Sequence, residues 1–298
     1  MIRISSLILL TLISLDSRAE VNLFACEPEW AALAREIGHA HVVTSSATTA
    51  LQDPHYIQAR PGLIAKVRSA DLVVCSGAQL EIGWLPVLLN KANNPRVQVG
   101  QTGFLEASAY VRRLDVPTSL DRSQGDIHPQ GNPHIQTDPH NISLVAEELA
   151  RRLLAIDPGH APDYQAGLAD FQQRWRQAIG KWENRVAPLR GKRIITHHKS
   201  WAYLEQWLGL QEVANLEPVP GIPPTASHLS ELLARFSQGQ ADYIIRSPFE
   251  DDKASAWLSE RSGIPALVLP LTVGGTDAAV DLFSMFDDII NRLLGQRP

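Results

Sequence analysis

Three observations predict an α/β protein of two parallel-sheet lobes joined by one long rigid spine helix. Short apolar runs alternate with helical patterns, which is how parallel strands covered by helices read along a chain. The alternation occurs in both halves of the sequence, and between them runs a helical stripe from Pro162 to Pro188 with no break over residues 168–179. At 298 residues the chain is also too long for one small core and suits two lobes of ordinary size.

Residues 1–19 come first and stand apart. Arg3 precedes an apolar run, residues 7–15, and Ser17-Arg18-Ala19 offers small residues where a signal peptidase reads. The run is about half of what a bilayer span needs, so a cleaved secretory signal peptide is expected, with the mature protein starting near Glu20. No Cys follows the cut to carry a lipid, and no later stretch is long and apolar enough to span. The expected location is the periplasm.

In the N-terminal lobe, residues 20–160, strands are expected at 21–26, 42–44, 72–75 and, with a weaker pattern, 97–99. Helices are expected at 30–37, 60–67 and 84–90. Residues 117–133 are rich in turn formers and read as a loop. Asp138-Pro139 then opens a helix, with Asp as its cap and Pro in the first turn. The spine, residues 161–189, places Tyr164, Leu168, Phe171, Trp175, Ile179, Trp182 and Val186 at steps of three or four, on one helical face. Some 25 residues at 1.5 Å each give roughly 37 Å, longer than a small lobe is wide. In the C-terminal lobe, residues 190–298, strands are expected at 193–196, 243–245 and 266–269, with helices at 201–207, 229–236, 254–262 and 278–294.

A net charge of −5 spread evenly over the chain argues against nucleic acid, which needs basic patches. The two cysteines, Cys26 and Cys75, each end a β-like run. A bond between them would close a loop worth about 4 kcal/mol in the chain-entropy account; two reduced thiols are the alternative.

Of ten histidines, three have contexts suited to metal binding. His55 and His134 each follow a Pro turn, and His198 stands just beyond the strand at 193–196, where ligands bind in parallel α/β folds. Imidazoles on such rigid supports present a nitrogen at little entropic cost, and zinc takes them at 2.0–2.1 Å. His39 and His41, flanking a short strand, are expected on one face as a weak metal pair. His197 should face away from His198, and His140, His160 and His228 read as solvated.

The segments Asp53-Pro54-His55, Asn132-Pro133-His134 with Asp138-Pro139, and His198-Lys-Ser-Trp201-Ala-Tyr203 together resemble the metal-binding segments of one family. These are the cluster A-I metal-specific solute-binding proteins of ABC importers, and the resemblance covers nearly the whole mature chain. It implies a metal held between the lobes by His55, His134 and His198. It also implies delivery to an importer permease in the inner membrane by a monomer without catalytic activity. A His in the third segment resembles the zinc members, where manganese members carry Glu; Zn(II) is therefore the expected transported ligand and manganese the alternative.

Two positions depart from the family pattern. Leu271 stands where the family carries its fourth ligand, an Asp. Asp277 is the substitute expected, ahead of Asp281 or a water; its alternative role is to cap the last helix. The short segment Gly125-Asp126-Ile127-His128 replaces the long His- and acid-rich loop of many zinc members, and His128 reads as a plain loop histidine, with metal scavenging as its alternative role. A three-His site with an open position would also suit a zinc-dependent hydrolase, with Glu81 or Glu217 as its base. No H-E-x-x-H or G-x-S-x-G motif supports that alternative.

Overall fold

A computed structural model describes residues 20–118, 125 and 128–296; the expected signal peptide at 1–19 lies outside them. Four parallel strands form the first sheet: β1 (Val21–Ala25), β2 (Val42–Ser46), β3 (Leu72–Cys75) and β4 (Phe104–Glu106), in the order β2-β1-β3-β4. The second sheet repeats that plan with β5 (Arg193–Thr196), β6 (Gln211–Asn215), β7 (Tyr243–Arg246) and β8 (Ala266–Val268), in the order β6-β5-β7-β8. Both are parallel throughout.

Side chains alternate across a strand, so each sheet feeds two cores. From β1 and β3, Leu23, Ala25, Leu72 and Val74 enter a large central core, while Phe24, Val73 and Cys75 face an outer one. Helices α2 (Pro61–Ser69) and α3 (Leu85–Ala92) cover that outer face through Val67, Leu88 and Leu89. In the second sheet Ile195 and Ile244 face a corresponding outer core with Leu229, Leu232 and Phe236 of a covering helix, whereas Ile194 and Ile245 join the central core.

That central core is where the lobes meet. It is crossed by α1 (Pro28–Gly38), α4 (Pro139–Ile156) and the spine α5 (Ala161–Arg185), and closed by α9 (Leu282–Leu293). The spine buries Tyr164, Phe171, Trp175, Ile179 and Trp182 as its stripe predicts, with Leu168 half-buried. Its indoles are tied to both sides. Trp175 Nε1 donates to the Pro139 carbonyl at 2.8 Å, and Trp182 Nε1 to Asp287 Oδ1 at 2.8 Å. The remaining helices are α6 (Ala202–Leu208), α7 (Ala226–Phe236) and α8 (Lys253–Ser262). Cys26 and Cys75 are disulfide-bonded, stapling the carboxyl ends of neighbouring strands β1 and β3.

Three expectations are corrected and one strand is added. Residues 95–97 form a 3-10 turn and Val99 is exposed; the edge strand is Phe104–Glu106, whose apolar pair Phe104 and Leu105 is buried. β6 is an additional edge strand that its polar sequence, Gln-Glu-Val-Ala-Asn, does not announce. The last helix begins at Leu282 because Asp281 and Ser284 form a reciprocal capping box. His39–His41 is a 3-10 turn, which separates the pair: His39 is exposed, while His41 is buried, stacked on His160 and paired with Asp163.

Candidate metal centre

Asx-Pro-His occurs three times in the chain, and the spacing has a local physical cause. A side-chain oxygen on the first residue accepts the backbone N–H of the third, forming an Asx turn that Pro stiffens. Asp53 Oδ1 accepts from His55 N at 2.9 Å, Asn132 Oδ1 from His134 N at 3.0 Å, and Asp138 Oδ1 from His140 N at 2.8 Å. The third turn caps α4 and leaves His140 exposed. The first two aim their histidines at the junction between the lobes. His198 arrives from the other side, two residues beyond the end of β5.

The three converge. One ligand nitrogen or more from each of His55, His134 and His198 lies within 4.8 Å of the other two. Ring centroids are 5.6 to 6.2 Å apart within the trio, at steep mutual angles of 66° to 89°. Such tilts point nitrogens inward rather than stacking the rings.

Each outer imidazole is held by a carboxylate on its far nitrogen. His55 Nδ1 donates to Asp53 Oδ1 at 2.7 Å, and His198 Nδ1 to Glu217 Oε2 at 2.7 Å. A carboxylate can only accept here, so Nδ1 of each ring carries a proton and Nε2 is the nitrogen left for a metal, the arrangement usual for metal-bound His. Glu217 Oε2 is itself fixed by the Gly221 N–H at 2.9 Å. His134 differs: it is 1% exposed, and neither ring nitrogen has a hydrogen-bond partner. A buried imidazole with two unanswered nitrogens costs free energy unless something polar or charged reaches it.

Protonation follows the same geometry. Burial and the neighbouring imidazoles hold His134 well below the ordinary histidine range, so it is neutral and a lone-pair donor. Burial pulls His198 down, but the Glu217 carboxylate outweighs it and the net displacement is upward. Burial would raise Asp53, yet the hydrogen bonds and charge of His55 bring it below the usual carboxylate value. Glu250, buried beside His198, is pushed up to about 8 by burial. It was not singled out in the sequence; its one signal is its place just past the carboxyl end of β7, beyond Pro248-Phe249.

The rest of the recognised segments serve as bracing. Trp84 Nε1 donates to the Pro54 carbonyl at 2.8 Å, locking the first loop. Asn132 ties the second segment to the third: its Nδ2 donates to the Lys199 carbonyl at 2.8 Å, and its carbonyl accepts from Tyr203 Oη at 2.8 Å. Tyr203 Oη also accepts the Leu114 N–H at 3.1 Å. A motif spread over two lobes is thus one connected support.

The expected fourth ligand is not brought to the trio. Asp277 is exposed on the turn before α9 and lies outside the histidine cluster. Asp281 is spent on the helix cap. Leu271 is buried near His134, its side chain lining the same small cavity and its carbonyl accepting from Gln136 Nε2 at 3.3 Å. His128 does come near, its Nε2 standing 3.2 Å from His55 Nε2. Asp126 and Ile127 before it lie outside the described residues. His197 is outside the cluster; it is buried with its own Nδ1 unpartnered, and burial lowers its pKa. His160 and His228 are bonded rather than solvated, to Asp157 and to the Asn215 carbonyl. Glu81 is fully buried near Glu27, accepting from the Gly77 N–H, and Glu217 backs His198. Neither carboxylate is set as a hydrolytic base on the inner side of the trio.

Residues 24–295 match the family described as zinc-uptake complex component A, periplasmic (ZnuA). Among named proteins, the chain is 22% identical over 209 residues to the high-affinity zinc uptake system protein ZnuA of Yersinia pestis, covering 65% of each. It is 24% identical to the manganese ABC transporter substrate-binding lipoprotein PsaA of Streptococcus pneumoniae, over 72% of this chain and 67% of that one. A crystal structure of ZnuA superposes with a TM-score of 0.75 at 21% identity, over 92% of this chain and 99% of the other. A cadmium-bound periplasmic metal binding protein from Candidatus Liberibacter asiaticus gives 0.74 at 16% identity, over 93% of this chain and 98% of that one. These neighbours share the fold.

Proposed function

The chain belongs to the ZnuA family of periplasmic zinc-uptake components, and from that premise we propose that it captures Zn(II) between its two lobes and hands it to the permease of an ABC importer in the inner membrane. The single observation that carries this is the inward convergence of His55, His134 and His198, with carboxylates on the far nitrogens of two of them. Three neutral or readily neutralised imidazoles form a nitrogen donor set that suits zinc. The family is one of uptake components, so no catalytic step enters; the hydrolase alternative falls with it.

Manganese is the second reading, because relatives such as PsaA are named for it. Manganese favours carboxylate, carbonyl and water oxygens. The trio is all nitrogen, and Asp53 and Glu217 are already engaged behind the rings, which favours zinc. Export through a cleaved signal at 1–19, and lobes at 20–160 and 190–298 on a spine at 161–189, complete the proposal.

A competition titration of metal-free protein tests it. About one zinc per chain should bind and raise the melting temperature, as any ligand specific to the native state does. His55→Ala, His134→Ala and His198→Ala should each lose roughly a hundredfold or more in affinity, since each leaves an incomplete shell. His39→Asn, at an exposed position with a positive φ of 46°, should change nothing. Zinc binding untouched by all three alanine variants would sink the assignment.

A further inference from the structure

We propose that His128 is the fourth protein ligand, closing an all-imidazole shell in which the compensating negative charge stays in the carboxylates behind the rings. This rests on the metal-binding reading above and deepens it. Zinc in a closed site takes four ligands arranged as a tetrahedron. With bonds near 2.0 Å, the edge of that tetrahedron, nitrogen to nitrogen, is about 3.3 Å. His55 Nε2 and His128 Nε2 stand 3.2 Å apart, so one edge is already in place.

The identity of the nitrogens matters as much as the distance. Asp53 holds His55 by Nδ1, so Nε2 is the atom His55 has for a metal, and it is this atom that His128 meets. The two rings lie 5.2 Å apart and only 28° from parallel, while His128 is perpendicular to His134 at 6.5 Å. His128 stands outside the trio's common 4.8 Å, so loading draws its ring a short way inward. In the metal-free protein the contact is an N–H···N bond, with His55 Nε2 accepting and His128 Nε2 donating. For a metal to bind, that proton moves to Nδ1 of His128, leaving both Nε2 lone pairs facing the ion.

His128 is placed by the backbone that places His134. Its carbonyl accepts the Gly131 N–H at 2.9 Å, closing a turn with Pro129 second in it. Gly131 has φ 102°, and a Cβ there would come within 2.7 Å of the Leu114 carbonyl, so only glycine fits. The Asx turn of Asn132 follows at once. The run His128-Pro-Gln-Gly-Asn-Pro-His134 is therefore two consecutive turns delivering two imidazoles to one point. At and after the family's usual fourth position no described carboxylate reaches the trio: Leu271 is apolar, Asp281 caps a helix and Asp277 faces solvent, while Glu250, beside His198, has one oxygen held by the Ser247 N–H.

Cobalt(II) substitution reads coordination directly, because four-coordinate cobalt absorbs visible light far more strongly than five- or six-coordinate cobalt. Metal-free wild type titrated with Co(II) should give an intense band, and zinc should displace it. His128→Ala should still bind but with a weaker, blue-shifted band as water enters the shell, and with zinc affinity lowered roughly ten- to a hundredfold. His128→Asp should restore much of that affinity and improve the relative binding of Mn(II), since an oxygen donor returns. The melting temperature of metal-free His128→Ala, unchanged from wild type, shows that the fold is intact. An identical cobalt spectrum and zinc affinity in wild type and His128→Ala would overturn the role of His128 while leaving the three-histidine reading standing. A wild type that binds neither metal would overturn both.

Discussion

Buried acids surround the candidate centre at the residue scale, and they set how the metal-free protein responds to pH. Glu29 and Glu81 are fully buried in the N-terminal lobe, and burial raises each from 4.5 to about 7. Glu27 beside them is pushed upward by burial and by both neighbours. A carboxyl whose folded pKa exceeds its unfolded one stabilises the fold below the unfolded value, and that contribution is lost as pH rises through the folded value. For Glu29 the window is pH 4.5 to 7. Its side chain accepts from Thr272 Oγ1, a bond that the Gln carbonyl can keep. Glu29→Gln should therefore be close to neutral at pH 5 and stabilising at pH 8, by on the order of 2 kcal/mol. Melts of both proteins across that range would check this, and a difference that does not grow with pH would refute it.

Among the elements, α1 packs against the spine with the two main chains in close approach. A Cβ on Gly167 would fall 2.2 Å from the Ile37 carbonyl, so the two helices approach as closely as backbone allows. The obstacle is main chain, which cannot rotate aside. Gly167→Ala should thus destabilise by about 2–3 kcal/mol, despite the better helix propensity of Ala. On the same helix a Cβ added to Gly180 would meet nothing within 4 Å, and Gly180→Ala should be neutral or slightly stabilising. Parallel denaturant titrations of the two variants compare like with like; equal midpoints would show that the close approach carries no energy.

For the whole molecule, the decisive feature is a core shared by both lobes. Leu23 and Val74 of the first sheet and Ile194 and Ile245 of the second belong to one apolar cluster, with Trp175, Trp182 and Phe286 between them. Trp182 and Phe286 lie 5.1 Å apart, and Phe286 and Trp207 5.6 Å. Two domains on a flexible hinge would have separate cores and could melt separately. Here exposing either inner face exposes the other, so thermal unfolding of the metal-free protein should be a single transition, with tryptophan fluorescence and far-ultraviolet circular dichroism coincident. Two resolved transitions would mean that the lobes are energetically independent.

What the sequence alone determined is what short-range chemistry dictates. Unbroken apolar runs such as Leu72–Cys75, bounded by polar residues and too short for a helix, read as buried strands, and steps of three and four from Tyr164 to Trp182 read as one helical face. The pairing of Asx, Pro and His marked His55 and His134, and the end of a strand marked His198. Tertiary structure decided the rest, because it depends on residues far apart in the chain. Whether Cys26 meets Cys75 is set by strand order, β1 beside β3, which no local pattern encodes. β6 is polar because it is an edge strand, and only its pairing with β5 reveals it. Asp277 sits a few residues from the family's ligand position, yet the capping box at Asp281 starts the helix late and leaves it facing solvent. His128, in a loop with no periodicity to read, meets His55 across 73 residues of sequence because two turns bring it there. A ligand shell is a property of positions in space, and sequence separation says little about who completes it.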